Sequence, residues 1–127
     1  MILVDTSAWI EFFRTRGKVA MRVGELLDEH DVALCGPTLM EIRRGLFSKT
    51  DRDRVLPLLT GCHFLLPPQN LWSEAGELGV LAGRKGTTVG SMDLLIAAHA
   101  LSHRVPILAA DPDYRRLQEA GIPLLLA

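Results

Sequence analysis

The sequence predicts an α/β fold in which helices cover both faces of a mainly parallel sheet. Short apolar runs alternate along the chain with longer segments in which apolar residues recur every three or four positions. The short runs are apolar throughout, which is typical of strands buried on both faces of a parallel sheet. The chain has 127 residues, 48% of them hydrophobic, so we expect one domain over residues 1–127 with a substantial core.

Five short apolar runs predict strands, each bounded by a turn residue or an acid. In chain order they are residues 2–4, 32–35, 63–66, 106–109 and 123–126. Asp5 ends the first run, Gly36 follows the second and Pro67 follows the third. Pro106 and Pro123 stand at the starts of the last two runs.

Seven segments predict helices, because their apolar residues recur at helical spacing or because breaking residues mark their ends. In chain order they are residues 7–14, 19–27, 36–47, 51–59, 71–82, 93–101 and 112–120. Gly17 separates the first two helices, and Pro37 opens the third. The fifth is rich in alanine and glycine, which allow a neighbour to pack closely. The sixth is apolar almost all round, so we expect it to be central and buried.

Four acidic residues stand beside these buried elements: Asp5, Glu41, Asp93 and Asp111. Asp5 and Asp111 end predicted strands, and Asp93 begins the buried helix. Carboxylates in such places need a partner or a metal ion, and the carboxyl ends of parallel strands share one edge of the sheet. If the four converge there, they form a site with oxygen ligands only, which suits Mg²⁺ or Mn²⁺ and phosphoryl chemistry on a nucleic acid.

Each acid also has a structural explanation. Asp111, which a proline follows, fits a helix N-cap, and Asp93 fits a first turn that complements the helix dipole. Glu41 fits a capping box that begins at Thr38, unless the proline before it places the helix start earlier. Asp5 is the hardest to explain in this way, because an acid that closes a buried strand needs a partner.

Five further residues are candidates for contacts with a substrate: Thr6, Ser7, Arg43, Ser91 and Asp113. The hydroxyl groups of Thr6, Ser7 and Ser91 could orient a water or a phosphate oxygen, although these residues could instead cap helices. Arg43 could contact a phosphate or could simply be solvated. Asp113 lies two positions after the fourth acid and could share its role.

The composition restricts the class of protein. The formal net charge is −1, so the chain lacks a basic excess, although a carboxylate cluster would offset basic residues elsewhere. Basic residues do occur in pairs, such as Arg14 with Arg16. Cys35 and Cys62 match no zinc-binding spacing and predict free thiols. No signal-peptide pattern or membrane-length apolar run is present in the sequence, so we expect a soluble, cytoplasmic protein.

The four acids lie in short motifs that follow one another in a fixed order. The motifs are residues 2–10, Glu41 with Gly45, residues 93–100, and residues 111–114, where an aromatic residue follows the second acid. Together they resemble the motifs of the PIN-domain ribonucleases, most closely those of the VapC-type toxins of prokaryotic toxin–antitoxin pairs. The resemblance covers the whole chain and implies a three-layer α/β/α sandwich with a mainly parallel central sheet. One departure is Ala109, where the family often has a hydroxyl residue.

The resemblance implies a Mg²⁺- or Mn²⁺-dependent endoribonuclease in which Asp5, Glu41, Asp93 and Asp111 hold the metal and act in catalysis. A metal-activated water would then hydrolyse the RNA phosphodiester and leave 5′-phosphate and 3′-hydroxyl ends. The resemblance also implies a homodimer, and inhibition by a small antitoxin whose tail covers the acidic site.

Two other functions fit the same residues. A non-catalytic module of the same fold would bind RNA or a protein partner, although a degenerate site would be expected to have lost an acid. A DNA-cleaving nuclease of the same fold is a further alternative, because this metal chemistry does not require a 2′-hydroxyl. A phospho-acceptor receiver domain is disfavoured, since Thr6 and Ser7 follow Asp5 where a receiver carries an acidic pair.

Overall fold

The structure, a computed structural model, describes residues 1–15 and 17–127, so Arg16 of the first basic pair lies outside the described residues. Within that part of the chain, strands alternate with helices. The strands are β1 (Ile2–Val4), β2 (Val32–Cys35), β3 (His63–Leu65) and β4 (Ile107–Leu108). The helices are α1 (Thr6–Phe13), α2 (Gly17–Asp28), α3 (Gly36–Arg44), α4 (Lys49–Thr60), α5 (Leu71–Arg84), α6 (Ser91–His103) and α7 (Asp113–Glu119).

The strands form a parallel sheet with the order β3-β2-β1-β4. β1 lies in the middle, where Leu3 is opposite Ala33 of β2 on one side and Ile107 of β4 on the other. The chain adds β2 and β3 on one side of β1 and then crosses over to add β4 on the other side. Ligands of such sheets bind beyond the carboxyl ends of the strands at the point where the order reverses. That point lies between β1 and β4.

Helices cover both faces of the sheet, so the structure has three layers, with the sheet in the middle. Successive side chains of a strand point to opposite faces, so Leu3 packs with α5, α6 and α7, whereas Val4 packs with α1 to α4. The largest fully buried side chains are Trp9 and Tyr114, and each belongs to a different one of these two clusters. The predicted three-layer sandwich with a parallel central sheet is therefore confirmed.

The close packing of α5 on α6 fixes the position of the buried sixth helix. A Cβ atom at Gly79 of α5 would lie 3.1 Å from Cδ1 of Leu94 in α6, so a larger residue there would require the Leu94 side chain to shift by a few tenths of an ångström. Residues 96–100 of α6 are all buried, as the sequence predicts. Among the described residues, no helix combines the length and the apolar character needed to cross a bilayer.

The end of α3 differs from the prediction. The helix ends at Arg44 rather than near residue 47. Gly45 closes it, and its N–H lies 3.1 Å from the carbonyl oxygen of Ile42, to which it donates. Ser48 already caps α4, because its Oγ accepts the N–H of Asp51 at 3.0 Å. The short segment between the two helices has no room for a further helical turn.

The predicted last strand, residues 123–126, is wrong as a strand. It is reduced to a single parallel bridge between Ile107 and Leu126. Because β4 is only two residues long, it offers a following segment little edge to pair with. All the other predicted elements are present with ends within two residues of those expected, apart from the end of α3.

We expect Leu3→Ala to lower the free energy of unfolding by about 2–5 kcal/mol, because Leu3 is fully buried in the central strand and its loss leaves a cavity. Leu125→Ala is the matched control. Its side chain is 55% exposed, so we expect a change within about 0.5 kcal/mol. Urea denaturation followed by circular dichroism measures both, and equal losses would contradict the central position of β1.

Candidate metal centre

The chain brings all four predicted acids to the carboxyl edge of the sheet. Asp5 follows β1, Asp111 follows β4, Glu41 lies within α3, and Asp93 lies in the first turn of α6. The backbone N–H of Asp5 donates to the carbonyl oxygen of Leu108 at 2.9 Å, so the first acid is held against the end of β4. The site therefore forms where the strand order reverses.

The tightest part of the site is a group of three carboxylates. Asp93, Asp111 and Asp113 each offer an oxygen, and these oxygens lie within 4.8 Å of one another. Asp113 is the second acid of the Asp-Pro-Asp segment that leads into α7, and its N–H donates to Oδ1 of Asp111 at 2.9 Å. The sequence suggested Asp113 only as a possible substrate contact or a substitute for Asp111. The structure places the two side by side.

The pKa values of two of these acids are raised. Burial, a hydrogen bond with Asp113 and the charges of Asp111 and Asp5 raise the pKa of Asp93 to about 7. Burial also raises the pKa of Asp111, as do the charges of Asp5, Asp113 and Glu41, although the N–H of Asp113 acts in the opposite direction. The acids therefore repel one another across the site.

Asp5 is buried, with 3% of its surface exposed, and its carboxylate is held by neighbouring donors. Its Oδ2 accepts the N–H of Ser7 at 3.0 Å and the hydroxyl of Ser7 at 2.6 Å. The acid itself thus caps α1, and the alternative in which Thr6 or Ser7 caps this helix is wrong. The Oγ of Ser7 also accepts the N–H of Ala110 at 2.9 Å, which ties the segment after β4 to the end of β1.

Glu41 is oriented by Thr6, whose hydroxyl donates to Oε1 of Glu41 at 2.9 Å. The capping-box explanation of Glu41 is wrong, because α3 begins at Gly36 and Glu41 lies within the helix. Thr38 instead serves the start of the helix, where its Oγ1 accepts the N–H of Cys35 at 3.0 Å. The earlier helix start, which the sequence left as an alternative, is the one observed.

Sequence reasoning missed the hydroxyl group of Tyr114. This group donates to Oδ1 of Asp5 at 2.7 Å and lies 3.3 Å from Oδ1 of Asp93. The side chain is 1% exposed. Burial and the negative charges of Asp5, Asp93 and Asp111 raise the pKa of Tyr114, so its hydroxyl keeps its proton. The available signal was the position itself, since Tyr114 is the one tyrosine of the chain and ends the fourth motif.

The remaining predicted contacts are exposed. Arg43 lies in the last turn of α3, two residues after Glu41. Ser91 is the first residue of α6 and borders a shallow groove together with Trp72 of α5. Both are accessible to a large ligand, and their contact with a substrate stays a prediction.

The donor set fits a hard divalent cation. The acidic groups of the site are carboxylates, and such ions prefer carboxylate oxygens as ligands. The raised pKa values of Asp93 and Asp111 reflect crowding of negative charge that a bound cation would relieve. Asp93, Asp111 and Asp113 lie closest together, and Asp5 and Glu41 border them.

Known proteins have amino-acid sequences similar to this one. Residues 2–120 match the sequence model of the PIN domain. The chain belongs to the PIN-domain family. This PIN domain is 38% identical to ribonuclease VapC11 of Mycobacterium tuberculosis over 124 residues, which cover 90% of this chain and 89% of that protein. The resemblance to PIN domains of the VapC type is therefore confirmed.

Solved structures share the fold of this PIN domain. VapBC2 from Rickettsia felis, bound to a DNA fragment from its promoter, has a TM-score of 0.77 at 22% identity, with 100% of this chain and 98% of that chain covered. A toxin–antitoxin complex from Klebsiella pneumoniae has a TM-score of 0.73 at 21% identity, with 100% and 97% covered. At these identities the likeness concerns the fold alone.

We expect the metal-free PIN domain to lose stability as the pH rises from about 5 to about 8. The pKa of Asp93 is higher in the folded chain, about 7, than its ordinary value of 3.8. The folded state therefore binds this proton more tightly, and the resulting stability is lost as the pH rises through the folded pKa.

Melting temperatures measured in EDTA across this range test the expectation. Asp93→Asn should flatten the decline, because the amide does not ionise, and Mg²⁺ should raise the melting temperature of the unsubstituted chain most at the alkaline end. An unchanged pH profile in Asp93→Asn would show that other groups cause the decline.

Proposed function

We propose that this PIN domain, one domain over residues 1–127, is a Mg²⁺- or Mn²⁺-dependent endoribonuclease and the toxin of a type II toxin–antitoxin pair. The observation that carries the proposal is the convergence of five carboxylates beyond β1 and β4, three of them with oxygens within 4.8 Å of one another. The activity named for VapC11 of M. tuberculosis, a ribonuclease, supports RNA as the substrate. Such a toxin would act in the cytoplasm, where it meets cellular RNA.

We propose Asp93, Asp111 and Asp113 as the principal holders of the cation, with Asp5 and Glu41 completing its surroundings. When bound, Mg²⁺ supplies positive charge to a phosphate oxygen and makes a coordinated water more acidic. Mg²⁺ fits because it binds through a few carboxylates plus substrate phosphate and keeps several of its waters. Mn²⁺ prefers similar oxygen ligands.

The chain's own residues hold the acids in place before any substrate arrives. Thr6 orients Glu41, and Ser7 orients Asp5 while it binds the segment after β4. Side chains fixed in this way need no reorganisation during the reaction. Their role is thus positional, whereas direct contact of Thr6, Ser7 or Ser91 with RNA stays a prediction. We propose that exposed Arg43 contacts a backbone phosphate.

We propose two protein partners. The first is a small antitoxin whose tail covers the acidic site, which is supported by the shared fold of the K. pneumoniae toxin–antitoxin complex. The second is another copy of this chain. An apolar groove of about 450 Å³ lies between α3, α5 and α6. It is bordered by exposed side chains that include Met40 (52%), Phe64 (50%) and Trp72 (77%), and such a patch is typical of an interface.

We expect the purified, antitoxin-free protein to cleave RNA with Mg²⁺ and to leave 5′-phosphate and 3′-hydroxyl ends. Asp93→Asn should lower the rate at least about hundredfold, because it removes a carboxylate from the cation site. Asp53→Asn is the matched control, since Asp53 is an exposed acid of α4 paired with Lys49. End mapping of total RNA after incubation measures the reaction.

Three results would contradict the proposal: cleavage that persists in EDTA, full activity in Asp93→Asn, or an equal loss in Asp53→Asn. Cleavage of single-stranded DNA at the same rate as RNA would identify the DNA nuclease instead. If the folded wild-type protein binds RNA but leaves every RNA tested intact, the non-catalytic module is the better description.

We expect Trp72→Glu to dissociate the homodimer. A charge in the apolar groove would weaken association at least about thirtyfold, which corresponds to losing an interface residue worth about 2 kcal/mol. Phe47→Glu is the control, because Phe47 is 91% exposed in the segment between α3 and α4, outside the residues lining the groove. Sedimentation equilibrium measures both, and a monomeric wild type, or a dimer that survives Trp72→Glu, would contradict this assignment.

A further inference from the structure

The hydroxyl of Tyr114 lies between two acids of the metal centre that come from distant parts of the chain. It donates to Oδ1 of Asp5, 109 residues away in sequence, at 2.7 Å. It also lies 3.3 Å from Oδ1 of Asp93. The hydroxyl has a single proton, and the shorter contact identifies Asp5 as its acceptor.

The hydrogen bonds of Asp5 restrict how this acid can bind a cation. A carboxylate oxygen has two lone-pair positions. Both positions on Oδ2 are used, by the N–H and by the hydroxyl of Ser7. One position on Oδ1 is used by Tyr114. Asp5 therefore has one lone-pair position left for a cation, on Oδ1, and Tyr114 determines its direction.

The ring of Tyr114 holds the hydroxyl rigidly in this place. It is 1% exposed and packs in the core cluster with Ile96 of α6 and Leu117 of α7. It directly follows Asp113, so the same helical turn carries a carboxylate of the site and the donor that restrains Asp5. The packing of the ring does not require the hydroxyl, because a phenylalanine would fill the same space.

We propose that Tyr114 is a positioning residue that orients Asp5 toward the cation through a single oxygen and fixes its separation from Asp93. This inference rests on the proposed metal site and adds to it a donor outside the acidic residues. Without the hydroxyl, Oδ1 of Asp5 loses this hydrogen bond, and the contact that links Asp5 to Asp93 is gone. Partners that orient ligating carboxylates commonly change metal affinity by about 10–100-fold.

Tyr114→Phe tests the proposal, because it removes the hydroxyl and keeps the ring. We expect Mn²⁺ and Mg²⁺ to bind this variant at least about tenfold more weakly than wild type in calorimetric titrations, with an unchanged circular dichroism spectrum. Thr60→Val is the control for hydroxyl loss, since Thr60 is exposed and its hydroxyl donates to the carbonyl of Pro57. Asp93→Asn is the reference for loss of a ligand.

A spectroscopic measurement on the wild-type chain is independent of any variant's folding. Because the chain has one tyrosine, protein labelled with ¹³C at the tyrosine Cζ gives a single tyrosine signal. We expect that signal to shift as Mg²⁺ is added and to saturate with the affinity found by calorimetry.

The outcomes separate this inference from the proposed function. If wild type binds neither ion, the metal site and the inference both fail. Only the inference is overturned if wild type binds the ion and the affinity of Tyr114→Phe is within twofold of the wild-type value. The same holds if the Cζ signal does not shift while the ion binds. Weaker binding in Tyr114→Phe but not in Thr60→Val, together with the saturating shift, supports it.

Discussion

The parallel pairing of β1 with β2 and with β4 is the constraint on which the rest of the structure depends. Because β1 occupies the middle of the sheet, both faces of its three residues are covered by helices. The same pairing sets the ends of β1 and β4 side by side, so that Asp5 and Asp111 reach a common edge. Core and site thus follow from a single register, and a slip of one residue would displace both.

The acidic edge works against the stability of the folded chain. Five carboxylates are brought together, and the raised pKa of Asp93 reflects burial and neighbouring negative charge that disfavour its ionised form. Hydrogen-bond donors from α1 and α7 offset part of this cost: Thr6 donates to Glu41, and Ser7 and Tyr114 donate to Asp5. The arrangement is typical of a functional site, where local repulsion is tolerated because surrounding structure enforces it.

The sequence predicted the fold and the gathering of the acids well, because both follow from patterns along the chain. Runs of apolar residues predicted β1, β2 and the buried α6, and the motif order predicted that Glu41 would join the acids. The errors have local causes: a two-residue β4 offers too little edge for the last predicted strand, and Gly45 shortens α3. The role of the Tyr114 hydroxyl was missed, because its place beside the last acids is a weak signal and its hydrogen bond to Asp5 depends on how the buried ring packs.

The distribution of the acids along the chain has a consequence for biosynthesis. Asp5 belongs to the first strand, whereas Asp111 and Asp113 follow the fourth and lie within the last seventeen residues of the 127. A ribosome must therefore polymerise the whole stretch from Asp5 to Asp113 before the centre can assemble, and the edge of β1 that receives β4 stays without its neighbour until then. A nascent chain interrupted before that point lacks the centre, so translation itself delays the appearance of the activity.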